Sequence, residues 1–438
     1  MSRPLLIMMI LLGIALGCRV SDPPVLKKNP HSLIYDGFAT GNFKENTPIL
    51  VREAFAAQNR ELSEPVAVVN WEPKKHAQWE AFYATNRGQG QPASSTRATY
   101  TNEVLTTPNF GRAVIQIPSR GRGVDPLLET PRPKWGIIPV SQELKSAPLV
   151  EFPVVQPTAP PEFFAGINKQ LAASANRDIL LFVHGFNVSF DAAILRTAQI
   201  AWDMPFNGAI ISYAWPTQGG LKNYSKDEPI NLASVVPFTD FLTQLISSVP
   251  STTKINIIVH SMGNRIVMQS LGQLSDFPDG RKPIHNLVLC APDVGVSDYR
   301  QWITGCQSQC DQITLYTNIG DSALISSKGM HAEQRAGDSH PPIVIAGVDT
   351  VDCTRIELNL MGHSYYGSNL DVLTDLFMLI KQNKPAAQRS HLKAISDTEG
   401  HQHYTFENHS PSLYYSWNFE KTPQQTASAL AEHGVLSK

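Results

Sequence analysis

The chain has 438 residues, 42% of them hydrophobic and 17% charged, with a formal net charge of −2. That balance supplies apolar material for a sizeable core and gives no electrostatic reason to expect nucleic acid or another polyanion as partner. The length allows two or three domains, although one large α/β sheet can absorb most of such a chain, and no period of tens of residues repeats, which sets aside solenoids and propellers.

Residues 1–18 read as a leader. Arg3, the apolar run LLIMMILLGIALG and the small residues before Cys18 are the parts of an export signal. The run is too short to cross a bilayer comfortably, which takes about 20 residues. Ala15-Leu16-Gly17-Cys18 resembles a bacterial lipoprotein signal, with Ala15 where Leu is more usual. The resemblance implies lipid attachment at Cys18 and an exported protein held at a membrane of the cell envelope, against the plainer reading of a cleaved signal with an incidental cysteine. Residues 19–64 hold one helical stretch, Val51 to Leu62, and read as tether or packing extension.

Residues 65–161 are strand-like. PVAVVNW, EAFYATNR, NFGRAVIQIP and KWGIIPV are each bounded by Gly, Pro, Asn or Ser. The loop between the last two carries Arg120, Arg122, Arg132 and Lys134, a solvated cluster in the simpler reading and an attractor of anionic substrate groups in the other. From 141 to 161, with five prolines between Pro148 and Pro161, the chain reads as an extended connector.

Over 162–382 strands and helices alternate, the pattern of an α/β fold with a mostly parallel sheet covered by helices on both faces. Helix is expected over 162–175, strand over 178–184, a helix capped by Ser189, strand over 209–215, and a long helix interrupted near Pro237. The stretch KINIIVH then turns into the helical MGNRIVMQSL with Ser261 at the joint. NLVLCAPDV is a strand ending in Asp293, SDYRQWITG a short helix, QITLYTNIGDSAL a strand ending in Asp321, and IVIAGVDTVDC the last strand, before GHSYY and a helix over 368–381. Cys290 reads as a buried small hydrophobe, whereas Cys306 and Cys310 flank a polar loop and are open to bridging; no cysteine spacing makes a zinc site. Residues 383–438 lack a clear period and form an ordered arm or a loose tail, in which His401 and His403 alone make no metal site.

A sharp strand-to-helix turn strains the residue at its apex and lifts that side chain above the sheet with a helix N-terminus behind it, which is where a nucleophile is wanted. The usual form is G-x-S-x-G; Gly263 is present and Val259 replaces the first glycine. Serine needs a histidine base, and that base needs a carboxylate to fix its tautomer. His363 and Asp321 follow in the α/β-hydrolase order, with Asp293 the alternative acid. The oxyanion donors fall to the backbone N–H groups of Met262 and Phe186, the latter in the loop HGFN. His184 and His260 read as satisfied scaffold histidines, Asp349 and Asp352 as structural, and Trp215, Tyr224, Tyr365 and Tyr366 as either pocket lining or core.

HGFNVSFDAAILRTAQIAWD, SYAWPT, VHSMGNR, LCAPDV, YTNIGDSAL, HAEQRAGD, GVDTVDC and GHSYY, in this order, resemble a bacterial α/β-hydrolase family of unknown function, and FYATNR and FGRAVIQIP resemble the strands that precede its core. The resemblance spans roughly residues 79–382. It implies the α/β-hydrolase fold and the triad Ser261, Asp321 and His363, and it names no substrate. The expectation is a serine hydrolase that cleaves a small carboxylic ester, thioester or amide through an acyl-enzyme, without cofactor or metal. A catalytically idle binding or scaffolding protein on the same fold is the alternative. Labelled palmitate should enter the wild-type protein in cells as it enters a control lipoprotein; failure to do so removes lipid attachment at Cys18.

Overall fold

In a computed structural model of the chain, residues 68–72, 76–118, 151–174, 177–203, 206, 208–277, 280–319, 321–338, 341–354, 370–389, 391–396 and 400–406 are described. The Ile-, Leu- and Val-rich runs form β5 (Asp178–Val183), β6 (Gly208–Tyr213), β7 (Lys254–His260) and β8 (Ile284–Cys290), buried along almost their whole lengths. Strands covered on both faces need no polar alternation, which is why these runs are continuously apolar. With β9 (Cys310–Thr317) and β10 (Asp349–Asp352) they make a parallel array in the order β10-β9-β8-β7-β5-β6.

Eight α-helices are described: α1 (Pro160–Ala173), α2 (Phe190–Asp203), α3 (Tyr224–Ala233), α4 (Val235–Ser248), α5 (Gly263–Leu271), α6 (Val296–Gln309), α7 (Ser322–His331) and α8 (Leu370–Ile380). Successive strand residues point to opposite faces, so one strand feeds two cores. Leu180 and Phe182 of β5 pack with Ile194 of α2 and Leu376 of α8. Ile179, Leu181 and Val183 pack with Ile167 of α1, Phe241 of α4 and Val267 of α5. Ser189 caps α2 as expected, its Oγ accepting from Ala192 N at 3.2 Å.

The β-rich N-terminal extension continues this sheet. Of β1 (Val68–Glu72), β2 (His76–Gln89), β3 (Tyr100–Pro118) and β4 (Glu151–Thr158), β2 runs parallel to β6 at Phe82–Ala84, while β1 and β3 lie antiparallel to β2 and β4 antiparallel to β3. The second half of the expected connector is thus β4, an edge strand, where proline costs no ladder bond. At the other edge, β11 (Leu392–Ser396) and β12 (Gln402–Phe406) form a hairpin whose second strand runs parallel to β10. The C-terminal stretch therefore supplies two strands that periodicity did not reveal. The expected strand KWGIIPV, the helix at 51–62, the basic cluster Arg120, Arg122, Arg132 and Lys134, and Cys18 all lie outside the described residues.

Other expectations shift locally. The long helix breaks at Ser234 rather than Pro237, because Pro237 sits in the first turn of α4, where no intrahelical N–H is needed. The polar GCQSQ belongs to α6, which leaves Cys306 on the helix and Cys310 opening β9. Both are buried, unbridged thiols. Burial pushes Cys306 up to about 12 and Cys310 well above the ordinary thiol value. Among the described residues no helix is long and apolar enough to cross a membrane, and no cluster of three or more His, Cys, Asp or Glu, His401 and His403 included, could hold a metal ion.

Beneath β9 the C-terminal segment is held by a buried ion pair. Arg389 Nη1 donates to Asp375 Oδ2 on α8 at 2.5 Å, both side chains being inaccessible to solvent. Tyr316 Oη also donates to Asp375, and Arg389 Nη2 donates to Thr314 Oγ1 at 3.3 Å. Arg389→Ala takes the guanidinium from this buried carboxylate and leaves it, among the described residues, only His391 as a basic partner, whose Nε2 lies 2.8 Å from Oδ1, so urea unfolding should show a loss of about 3–5 kcal/mol, more than for any exposed arginine.

Candidate active site

The parallel order reverses between β5 and β7: the chain moves from β5 outward to β6, then returns to build β7, β8 and β9 on the other side. Loops diverge at such a switch point and leave a crevice at the carboxyl ends of the strands. Ser261 stands there, between β7 and α5, with φ +52. A serine in the left-handed region is strained, and the strain persists because neighbouring groups fix the peptide on both sides. Ser261 N donates to Cys290 O at 3.0 Å. Its carbonyl accepts from Asn264 N at 3.1 Å, Asn264 Nδ2 at 2.8 Å and Asp293 N at 3.3 Å.

The second glycine of the elbow has a steric reason. A Cβ on Gly263 would lie 2.4 Å from His184 O, and one on Gly185 would lie 2.7 Å from the Cβ of Ser261. The loop after β5 therefore rests backbone against backbone on the elbow. Val259, in the place of the first glycine, is fully buried in the same core as Val183 and Val267.

That loop is held at nearly every residue. Trp215 Nε1 donates to His184 O at 2.7 Å, and its ring stacks on the imidazole at 5.3 Å. Asn187, with φ +58, accepts from Gly220 N at 2.5 Å, and Val188 O accepts from Thr217 Oγ1 at 3.1 Å. Phe186 sets its ring edge-on to Tyr224 at 5.2 Å. Among the described residues, the N–H groups of Phe186 and Met262 meet no acceptor.

The family signature covers this geometry. The profile of the family described as alpha/beta hydrolase of unknown function (DUF900) matches residues 161–382. The chain belongs to this family. A hydrolase by descent, it is similar among solved structures to phospholipase PlaB from Legionella pneumophila in complex with thio-NAD, at 12% identity over 53% of this chain and 67% of that one, with a TM-score of 0.27. A second structure of that phospholipase gives 12% identity over 53% and 68% of the two chains and a TM-score of 0.24. At these scores the likeness carries no argument about function. No curated protein matches the chain.

The two acid candidates of this α/β-hydrolase occupy different surroundings. Asp321 follows β9 and caps α7, its Oδ1 accepting from Ala323 N at 3.1 Å and Leu324 N at 3.2 Å. It is fully buried, and its strand lies two positions from that of Ser261, on the order of 10 Å along the same sheet edge. Asp293, past the end of β8, is enclosed by donors. Oδ1 accepts from Ser327 Oγ at 2.6 Å and Arg335 Nε at 2.8 Å; Oδ2 accepts from Tyr224 Oη and lies 3.5 Å from Arg265 Nη2. Arg265 also binds Glu228 Oε1 at 2.7 Å, and His331 Nε2 lies 2.7 Å from the same oxygen. Burial alone would raise the Asp293 carboxyl, but the two guanidiniums and the hydroxyl donors outweigh it and hold the group below its ordinary 3.8. Asp293 therefore stabilises the fold above that pH and loses its contribution as pH falls through its own lower value.

This hub, joining α3, α5, α7 and the 331–338 segment around Asp293, was not foreseen as a unit. Its only sequence trace is charge at Arg265 and Arg335 inside otherwise apolar or glycine-bearing motifs. Tyr224 belongs to it, and Trp215 is fully buried core. His184 departs from the satisfied scaffold expected: Nδ1 donates to Gly185 O at 2.7 Å, but buried Nε2 has no partner among the described residues. Burial, reinforced by the charge of Arg87, takes its pKa down to about 3, so the ring is neutral at physiological pH. His260 is buried against Gly185. Asp349 supports the Arg389 segment through Ala386 N at 2.8 Å, and Asp352 Oδ1 accepts from Thr354 N at 2.9 Å. His363, Tyr365 and Tyr366 lie outside the described residues. Gly185→Ala should push the loop off the elbow: labelling of Ser261 by a fluorophosphonate is expected to slow by about a hundredfold, a far larger effect than Ala for the exposed Gly329.

Proposed function

We propose that this hydrolase is a serine esterase. Ser261 Oγ attacks the carbonyl carbon of an ester as its proton passes to His363, whose ring is oriented by Asp321. The carbonyl oxygen becomes an oxyanion at the N–H groups of Met262 and Phe186. Collapse of the tetrahedral species returns the proton to the departing alcohol, and water then repeats the sequence on the acyl-enzyme to release the acid. The chain's own groups suffice for each step.

One observation carries the reading: Ser261 in a left-handed conformation at the N-terminus of α5, pressed against Gly185, with the backbone N–H groups of Met262 and Phe186 meeting no acceptor among the described residues. A capping serine in an ordinary turn needs neither the strain nor the glycine contact. Asp321 is favoured over Asp293 because side-chain donors engage both oxygens of Asp293. The export signal and the Cys18 motif support placement at the envelope, where a lipid anchor would hold the enzyme to a membrane.

The low exposure of Ser261, 3%, favours a second reading, a scaffold on this fold with an idle serine. A fluorophosphonate probe separates the two. Labelling at Ser261, with hydrolysis of short p-nitrophenyl esters that falls by at least about a thousandfold in Ser261→Ala, is the expected result. Equal rates for the two proteins exclude the esterase.

A further inference from the structure

Arg87 has no part in that scheme, yet its guanidinium is buried at the same sheet edge. It lies on β2, ahead of the segment that the family profile matches. β2 and β3 pair step for step from His76↔Pro118 to Thr85↔Asn109, and the next pair is Arg87↔Val104, so that two steps on β2 answer five on β3. Irregularities of this kind re-aim side chains, and they gather beside active sites.

Here three successive side chains, Thr85, Asn86 and Arg87, are buried and reach three different loops. Thr85 Oγ1 donates to Ala214 O at 2.5 Å, just past β6. Asn86 Nδ2 donates to Ser234 Oγ at 3.0 Å, between α3 and α4. Arg87 Nη2 donates to Val188 O at 2.9 Å, and Nη1 donates to Asn102 Oδ1 at 2.8 Å. Val188 closes the loop that carries Phe186, and the guanidinium is the stronger of the two donors on its carbonyl because it is charged.

Arg87 is a poor choice for strength alone. No carboxylate among the described residues is in ion-pair contact with it; Asp191 pairs instead with Arg97 at 2.7 Å, and Asp227 acts only at a distance. Its Nε has no partner among the described residues. Burial lowers its pKa to about 10, which leaves it charged at neutral pH. A buried cation without a counter-ion costs stability, and an apolar side chain of similar volume would serve packing better.

We propose that Arg87 is a positioning residue: through the Val188 carbonyl it fixes the loop so that the Phe186 N–H meets the developing oxyanion. This rests on Ser261 being the nucleophile. The strand extension ahead of the hydrolase core is then part of the catalytic apparatus, and its tip sets the oxyanion loop.

The test uses the full chain and its Arg87→Met, Arg87→Lys and Thr217→Val variants. Each is titrated to completion with a fluorophosphonate to count competent Ser261, then assayed on a short p-nitrophenyl ester and melted. Arg87→Met should melt within a few degrees of wild type, with kcat per competent serine down on the order of 10- to 100-fold and KM within about twofold. Arg87→Lys, which keeps the charge but not the fork, should recover part of kcat, and Thr217→Val should lose less than Arg87→Met. Unchanged kcat per competent serine in Arg87→Met overturns the proposal whatever Thr217→Val shows, as does an effect confined to melting or to KM. Should Arg87→Met fail to fold, Arg87→Lys and Thr217→Val decide by the same criteria. A wild-type chain that takes no probe at Ser261 removes the esterase reading and this proposal together, an outcome distinct from a labelled wild type with an indifferent Arg87→Met.

Discussion

Two backbones meet where side chains would normally keep them apart. The loop after β5 touches the turn after β7 at Gly185 and at Gly263, and each contact fails once a single carbon is added. Everything near the site follows from that approach. It seats the HGFN loop directly against the turn at Ser261, so that the position of the loop matters as much as the position of the serine. The parallel sheet provides the approach because β5 and β7 are hydrogen-bonded neighbours and their loops leave the same edge.

Around this contact the protein has placed polar groups whose burial must be offset locally. Asp293 sits beneath the elbow with two arginines, a tyrosine and a serine, drawn from helices before and after Ser261 and from the segment after α7. A carboxylate so enclosed adds little net stability against an apolar filling, but it imposes direction: each donor is met by an acceptor at a fixed angle. The hub therefore ties α5 to α7 more strictly than hydrophobic contact would. It also draws in Tyr224, whose ring supports Phe186, so that the same cluster bears on the serine turn and on the loop facing it.

The parallel strands were legible because burial on both faces leaves an unbroken apolar run, and the turn at Ser261 was legible because a run of β-branched residues gives way abruptly to helical spacing. Strands at the edges left weaker traces. β4 carries Pro153 and Pro157, which argue against a central strand but are tolerated at an edge, and β11 is only half covered, so neither shows a clean alternation. The helix α7 escaped notice because SALISSKGMH has little apolar period; Asp321 at its cap and Ser327 and His331 in the hub hold it instead. The strand-to-helix turn at Ser261 and the loop after β5 follow from local spacing. Arg335 and Asp293 stand 42 residues apart, and Arg87 and Val188 stand 101 apart, and no local pattern announces contacts of that range. That His184 is left with an unpartnered nitrogen was invisible for the same reason, since its environment is built by β5, the loop after β6 and β2 together.

The bond between α8 and the segment after it bears on the order in which the protein can be completed. When the ribosome has delivered the chain only as far as α8, Asp375 has no guanidinium to face, and β10 presents a bare margin where β12 will later lie. Arg389 must therefore be made before α8 can pair its buried acid, and β11 and β12 follow it in the chain. The polypeptide beyond residue 382 thus acts as a closing clasp, and a translation product that stops short of Arg389 keeps a charged notch in its core.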